Sequence, residues 1–193
     1  FIAAVLSSDM DNTDKVVRFV KECEKMGISL EAPNINVSNY SFNVIDDNKI
    51  TYGLGAIKGV GSSIIENIIS ERKENGIFKN LDDFLRRCGT SKINKRLIEA
   101  LVKSGAFDIF GDTRKSLMAC YPDSLKMADQ NSKNLQQGQI DIFGFSDEVI
   151  EKKEESQADE WPSSTKLSFE RDVLGFYLSG HPIQEFKDEL KNL

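Results

Sequence analysis

The sequence predicts a mainly α-helical protein with one small β-hairpin, and three observations carry that prediction. Apolar residues recur at helical spacing through most of the 193 positions. Only two short runs, Tyr40 to Ile45 and Lys49 to Tyr52, read as strands, and Asp46-Asp47-Asn48 between them supplies hairpin turn chemistry. Glycines gather where periodic segments begin or end, most densely in Tyr52-Gly53-Leu54-Gly55-Ala56-Ile57-Lys58-Gly59-Val60-Gly61-Ser62-Ser63.

The first element after Phe1 to Leu6 is a helix from about Thr13 to Met26. Asn12 or Thr13 caps it, Val16, Val17, Phe19, Val20, Cys23 and Met26 share one side, and Gly27 closes it. The two β-like runs follow the loop at Pro33. The glycine-rich stretch then reads as a hairpin opening a helix that ends near Arg72, before Gly76. Without a Cβ, Gly59 and Gly61 let the backbone turn sharply and approach a ligand, while the amides of residues 61 to 63 lie unsatisfied at the helix start. Such amides bind phosphate. A dinucleotide fingerprint fails, because counting from Gly53 through Gly55 reaches Lys58 where the third glycine belongs, and no Gly-Lys-Ser/Thr is present for a Walker loop. The expected phosphate is therefore that of a nucleic acid backbone, held by a helix-hairpin-helix with Lys58 beside the turn. A plain turn with several positive-φ glycines stays open as the alternative.

A second helical pair is expected at Asn80 to Cys88 and Ser91 to Lys103, with Asn80 as cap, Asp82 and Asp83 in the opening turn and Gly105 after the last helix. Ile93, Leu97, Ile98, Leu101 and Val102 form its apolar face, and Lys92, Lys95, Arg96 and Lys103 its basic side. It reads as a degenerate second copy of the first unit, giving a tandem helix-hairpin-helix module. Thr113 to Tyr121 and Pro122 to Gln136 suggest two further helices, with Pro122 in a first turn. A last helix is expected from Lys166 to Leu178, broken at Ser179-Gly180-His181-Pro182.

Charge supports the nucleic-acid reading once it is taken by segment. The chain carries a net charge of -6, yet from Thr51 to Phe107 ten basic residues face six acidic ones. Between Ser146 and Glu160 seven acids face only Lys152 and Lys153, the composition of a solvated linker. Cys23, Cys88 and Cys120 are odd in number and far apart, which favours free thiols in a reducing compartment, and a cytoplasmic location is expected. No apolar run is long enough for a membrane span, so no membrane partner is expected. The start at Phe1 and the amphipathic end from Phe186 to Leu193 suggest a piece of a longer polypeptide. No Ser/His/Asp set, zinc spacing or paired carboxylate strand is present; His181 is the lone histidine, and Asp9 and Asp11 lead into a helix cap.

Gln139-Ile140-Asp141-Ile142-Phe143 precedes the acidic run. Its glutamine could fix a peptide at a groove rim while Ile142 and Phe143 fill an apolar pocket. Alone, the pentapeptide reads as readily as a strand or loop anchor.

Together these strings resemble a known family. Asp9 to Val16 (DMDNTDKV), Tyr52 to Gly61 (YGLGAIKGVG), Lys103 to Asp108 (KSGAFD), Gln139 to Gly144 (QIDIFG) and Arg171 to Pro182 (RDVLGFYLSGHP) occur in this order in the C-family of bacterial replicative DNA polymerases, the family of the DNA polymerase III alpha subunit. The resemblance covers essentially the whole chain. It implies the end of a fingers domain over 1–50, the tandem helix-hairpin-helix over 51–137, a sliding-clamp-binding peptide over 138–145, an acidic flexible linker over 146–160 and helices leading to an OB domain over 161–193. It implies that Lys58, Gly59, Val60, Gly61, Ser62, Ser63, Lys92, Lys95 and Arg96 contact primer-template duplex DNA. Gln139, Ile140, Asp141, Ile142 and Phe143 become the peptide for the beta clamp, although the family favours Leu or Met where Ile142 stands. Other polymerase III holoenzyme subunits would be partners through the parent chain. The palm, with its catalytic aspartates and magnesium, would precede Phe1, so this stretch is expected to hold no catalytic residue, metal or cofactor and to be inactive alone. The alternative function is a non-catalytic helix-hairpin-helix DNA-binding or repair scaffold. A helical interaction domain with no DNA role is a third.

Overall fold

The computed structural model describes residues 1–89, 93–136, 159–180 and 182. Helix α1 (Ile2–Ser8) comes first, in the stretch to which the sequence reading assigned no element, and α2 (Thr13–Lys25) follows. The Asn12 side chain caps α2 by accepting from the Lys15 amide at 3.2 Å. Strand β1 (Ser29–Glu31) then leads through a long loop to β2 (Asn43–Asp46) and β3 (Lys49–Thr51).

The expected hairpin forms, with β2 antiparallel to β3 and the Asp46 carboxylate accepting from the Asn48 amide across the turn. It is joined by a third strand that the sequence reading missed: β1 lies parallel to β3, in the order β1-β3-β2. Three residues are too few to show alternation, which is why β1 was not legible.

A short 3₁₀ turn (Leu54–Ala56) enters the glycine hairpin, and α3 (Ser62–Asn75) leaves it. Helices α4 (Leu81–Cys88) and α5 (Lys95–Ser104) form the second unit. Asn80 caps α4 as expected, but α5 starts at Lys95, with Asn94 as its cap, four residues later than the predicted Ser91. Gly105 ends α5 in the left-handed region; its amide bonds back to Val102 and that of Ala106 to Leu101, closing the last turn.

Two helix boundaries need correction. Helix α6 (Arg114–Gln136) is one continuous element with Pro122 inside it, where the sequence suggested two helices meeting at Pro122. Proline removes one intrahelical bond and disfavours a helix interior by about 3 kcal/mol. Pro122 is exposed, however, and Leu117, Tyr121, Leu125 and Ala128 pack on the core from both sides of it. Helix α7 (Ser163–Leu174) starts and stops earlier than predicted, because Gly175, at φ +90°, turns the chain before Phe176, Tyr177 and Leu178.

One apolar core runs from Ala3 to Leu174. Its centre is a chain of edge-on rings, Phe78 to Phe84 at 5.2 Å and Phe84 to Phe107 at 5.1 Å. Arg87 lies over Phe78 at 4.4 Å while it pairs with Glu71 and Asp83, fastening the end of α3 to α4. Among the described residues every buried side-chain nitrogen and oxygen has a hydrogen-bond partner. Cys23 and Cys88 are buried and Cys120 is partly buried, none of them in a disulfide.

Glu160, at the edge of the acidic run, is an anchor for α6. Its carboxylate accepts from the amides of Arg114 (3.0 Å), Lys115 (3.2 Å) and Trp161 (2.8 Å). Burial alone would raise the pKa of this carboxyl, but the three amides and nearby Lys166 outweigh it and hold the pKa below the usual glutamate range. A lowered folded-state pKa makes this contribution complete above the unfolded value of about 4.3, and it is lost as pH falls through the folded value. Glu160→Gln is therefore expected to lower Tm at pH 7 by a few degrees and to shrink that gap below pH 4. A gap that stays constant from pH 7 to pH 3 would contradict the assignment.

Candidate nucleic-acid interface

The starts of α3 and α5 border an open groove of about 450 Å³. Gly59, Val60, Gly61, Ser63 and Ile64 line it from the first unit, and Asn94, Arg96 and Leu97 from the second. The N-termini of α3 and α5 thus face one space, although they are more than 30 residues apart in sequence. Gly61 is the N-cap residue of α3 with no side chain to cap it, and the first amide bonded back into the turn is that of Ile65, to the Gly61 carbonyl at 3.2 Å. The amides of the first turn, at Ser62 and Ser63, lie at an exposed helix start. Asn94 takes the Leu97 amide at 2.9 Å and leaves the remaining positive end of α5 beside them.

Gly59 has φ +91°, a conformation that favours glycine, and a side chain there would sit 3.2 Å from Arg96 Nε. Arg96 therefore lies across the first hairpin from the second unit. Lys58, Lys95 and Arg96 are all exposed at this end, with Lys95 3.6 Å from Glu99. Of the predicted set, Gly59, Val60, Gly61, Ser63 and Arg96 line the groove, while Lys58, Ser62 and Lys95 are exposed chain neighbours of these residues. Lys92 lies outside the described residues, as does the whole of Gln139, Ile140, Asp141, Ile142 and Phe143.

Several basic residues behind the segment's positive balance serve the fold instead. Arg72 donates to the carbonyls of Ile35 and Ser38, and its pKa is lowered by burial. Arg86 pairs with Asp83, and Lys103 lies over the Phe169 ring at 5.0 Å, away from the groove-lining residues of its helix. The glycines divide in the same way. A side chain at Gly53 would stand 2.7 Å from the Ser41 backbone, and one at Gly55 would meet Tyr40, so both admit the loop before β2. The Leu54 and Gly55 amides donate to the Asn39 and Tyr40 carbonyls there. Ile64, Asn94 and Leu97 line the groove outside the predicted set; for Asn94, an Asn just before the periodic run from Leu97 was the available signal.

Among the described residues no group of three or more His, Cys, Asp or Glu side chains could hold a metal ion, and no described helix is long and apolar enough to cross a membrane.

A helix-hairpin-helix motif family matches residues 27–117, which contain both hairpins. The chain is 47% identical over 193 residues to the DNA polymerase III subunit alpha of Escherichia coli strain K12, a match covering 99% of this chain and 17% of that protein. It is 45% identical over 192 residues to the protein of the same name from Vibrio cholerae, covering 98% and 17%. The corresponding protein of Haemophilus influenzae is 43% identical over 194 residues, covering 100% and 17%. The chain therefore spans about a sixth of the length of these relatives.

Proposed function

We propose that this chain, homologous to a segment of DNA polymerase III subunit alpha and carrying a helix-hairpin-helix motif, holds duplex DNA without reading its sequence and fastens a replicative polymerase to its sliding clamp. The observation that carries the DNA half is the groove, where two helix N-termini and Arg96 converge, with Lys58 exposed next to Gly59 in the chain. Backbone amides and flexible cations bind phosphate oxygens, which are the same in every sequence, and a polymerase that copies any template needs such contacts. Two hairpins side by side suit the two strands of a duplex.

The clamp half rests on Gln139, Ile142 and Phe143 and on the likeness to the family. A short peptide that directly follows a DNA-holding module and precedes the acidic stretch raises the local concentration of polymerase at a ring on the same duplex, which is processivity. The parent protein would be a DNA-directed DNA polymerase of the bacterial cytoplasm. Its magnesium and catalytic aspartates would lie in a palm outside this chain, its partners being primer-template duplex, the beta clamp and other holoenzyme subunits.

The test is a titration of the chain with the beta clamp of its own species and, separately, with primed duplex. The Gln139→Ala/Phe143→Ala variant is expected to lose clamp binding at least tenfold while its duplex affinity is unchanged. Clamp binding indifferent to both substitutions would remove the peptide from the proposal. The non-catalytic scaffold reading is favoured if the unsubstituted chain binds duplex but no clamp.

A further inference from the structure

The back of the first hairpin is held by a helix more than a hundred residues away. The Lys58 amide, at the turn, donates to the Val173 carbonyl in the last turn of α7 at 2.9 Å. The hydroxyl of Tyr52, a buried side chain, lies 3.3 Å from the Ala56 carbonyl and 3.5 Å from the Leu174 carbonyl. Phe176 then stacks obliquely on Tyr52 with ring centroids 6.0 Å apart.

Three contacts fix the end of α7 where it makes this clasp. Gly175 has φ +90°, and any side chain there would collide with Thr13 of α2. The Glu170 carboxylate accepts from the amides of Leu178 and Ser179 at 2.8 and 2.9 Å, folding the chain back after the helix. Arg114 donates to the other oxygen of the same carboxylate at 3.0 Å. The α7 end is thus seated on α2, α6 and the hairpin together, while the opposite side of the hairpin faces the groove.

From this geometry we infer that Val173 to Gly175 are positioning residues for duplex binding: they hold the Lys58 turn in its phosphate-receiving shape from behind. The inference rests on the DNA-binding reading above. A turn ordered before binding does not have to be ordered by the ligand, so the ordering entropy does not oppose association. Release of α7 leaves Lys58 and the Gly59 to Gly61 amides in place chemically but frees them to move.

Gly175→Ala in the full chain is the test, since a methyl at this position meets Thr13 and unseats the α7 end. The expected result is a roughly tenfold weaker duplex Kd, faster hydrogen exchange at the Lys58 amide, and a smaller loss, about threefold or less, when Lys58 is already Gln. Adding Thr13→Ala, which removes the colliding methyl, is expected to recover part of the affinity. If Gly175→Ala fails to fold, Tyr52→Phe replaces it, removing only the hydroxyl between the hairpin and Leu174. Unchanged affinity despite faster exchange at Lys58, or equal losses in the wild-type and Lys58→Gln backgrounds, overturns the inference and leaves the DNA-binding reading intact. An unsubstituted chain that binds no duplex overturns both.

Discussion

Glu170→Ala is expected to destabilise the fold by about 3–5 kcal/mol, the usual consequence of removing one member of a buried ion pair. Glu170 is fully buried, and Arg114, 3% exposed, donates to it at 3.0 Å. Burial alone would lower the pKa of the Arg114 guanidinium, but bonds to Asp108 and Glu170 outweigh burial and raise it; a guanidinium is not deprotonated in proteins, so the cation persists after the substitution. Alanine would leave that cation buried with Asp108 and the Lys103 carbonyl as partners, and would also strip the Leu178 and Ser179 amides of their acceptor. For a chain of this size Tm is expected to fall by on the order of 10 °C. Glu170→Gln keeps an acceptor oxygen and should fall between wild type and alanine. Replacing the pair together, Arg114→Met with Glu170→Leu, should do less damage than Glu170→Ala alone, because no charge is stranded. Thermal unfolding of the four proteins checks this; a Tm for Glu170→Ala within about 2 °C of wild type would refute the account of the buried pair.

That pair also marks the limit of what the sequence could disclose. Arg114 and Glu170 are separated by 56 positions, and neither sits in a local pattern that names its partner. Local chemistry was legible: Asn12 and Asn80 cap the helices they precede, Gly105 ends α5, and Asp46 to Asn48 turn the hairpin. Local rules failed where tertiary packing overrode them. Pro122 looked like a helix start, yet core contacts on both sides keep α6 continuous. Phe176, Tyr177 and Leu178 looked like the end of α7, because their apolar character masked the stop signal at Gly175.

At the candidate site, charge and glycine content alone did not say which members of the segment serve the fold. Gly53 and Gly55 belong to the same dense glycine stretch as Gly59 and Gly61, but they admit the backbone near Tyr40 and Ser41. Arg72, Arg86 and Lys103 counted towards a basic segment, while their contacts are with backbone carbonyls, Asp83 and Phe169. Charge and glycine content report residue type; only the fold says which members face the groove.

The second large effect is expected from Arg96, which lines that groove, together with Lys58, exposed next to Gly59 in the chain. Lys58→Gln/Arg96→Gln removes two exposed cations on opposite hairpins, and Arg96 in addition lies against Gly59. Each phosphate contact contributes about 0.9 to the slope of log affinity against log salt. Loss of two contacts should therefore reduce that slope by nearly 2, and weaken duplex binding by about 10- to 100-fold at low salt. The effect should be the same on duplexes of unrelated sequence, since phosphates carry no base identity.

The most direct measurement is the duplex Kd of the wild-type chain and of Lys58→Gln/Arg96→Gln across a sodium chloride series, on two duplexes of unrelated sequence. The expected result is a steep wild-type slope, a shallower one for the variant, and no difference between duplexes. Equal slopes for wild type and variant would show that the groove between the hairpins is not where DNA is held.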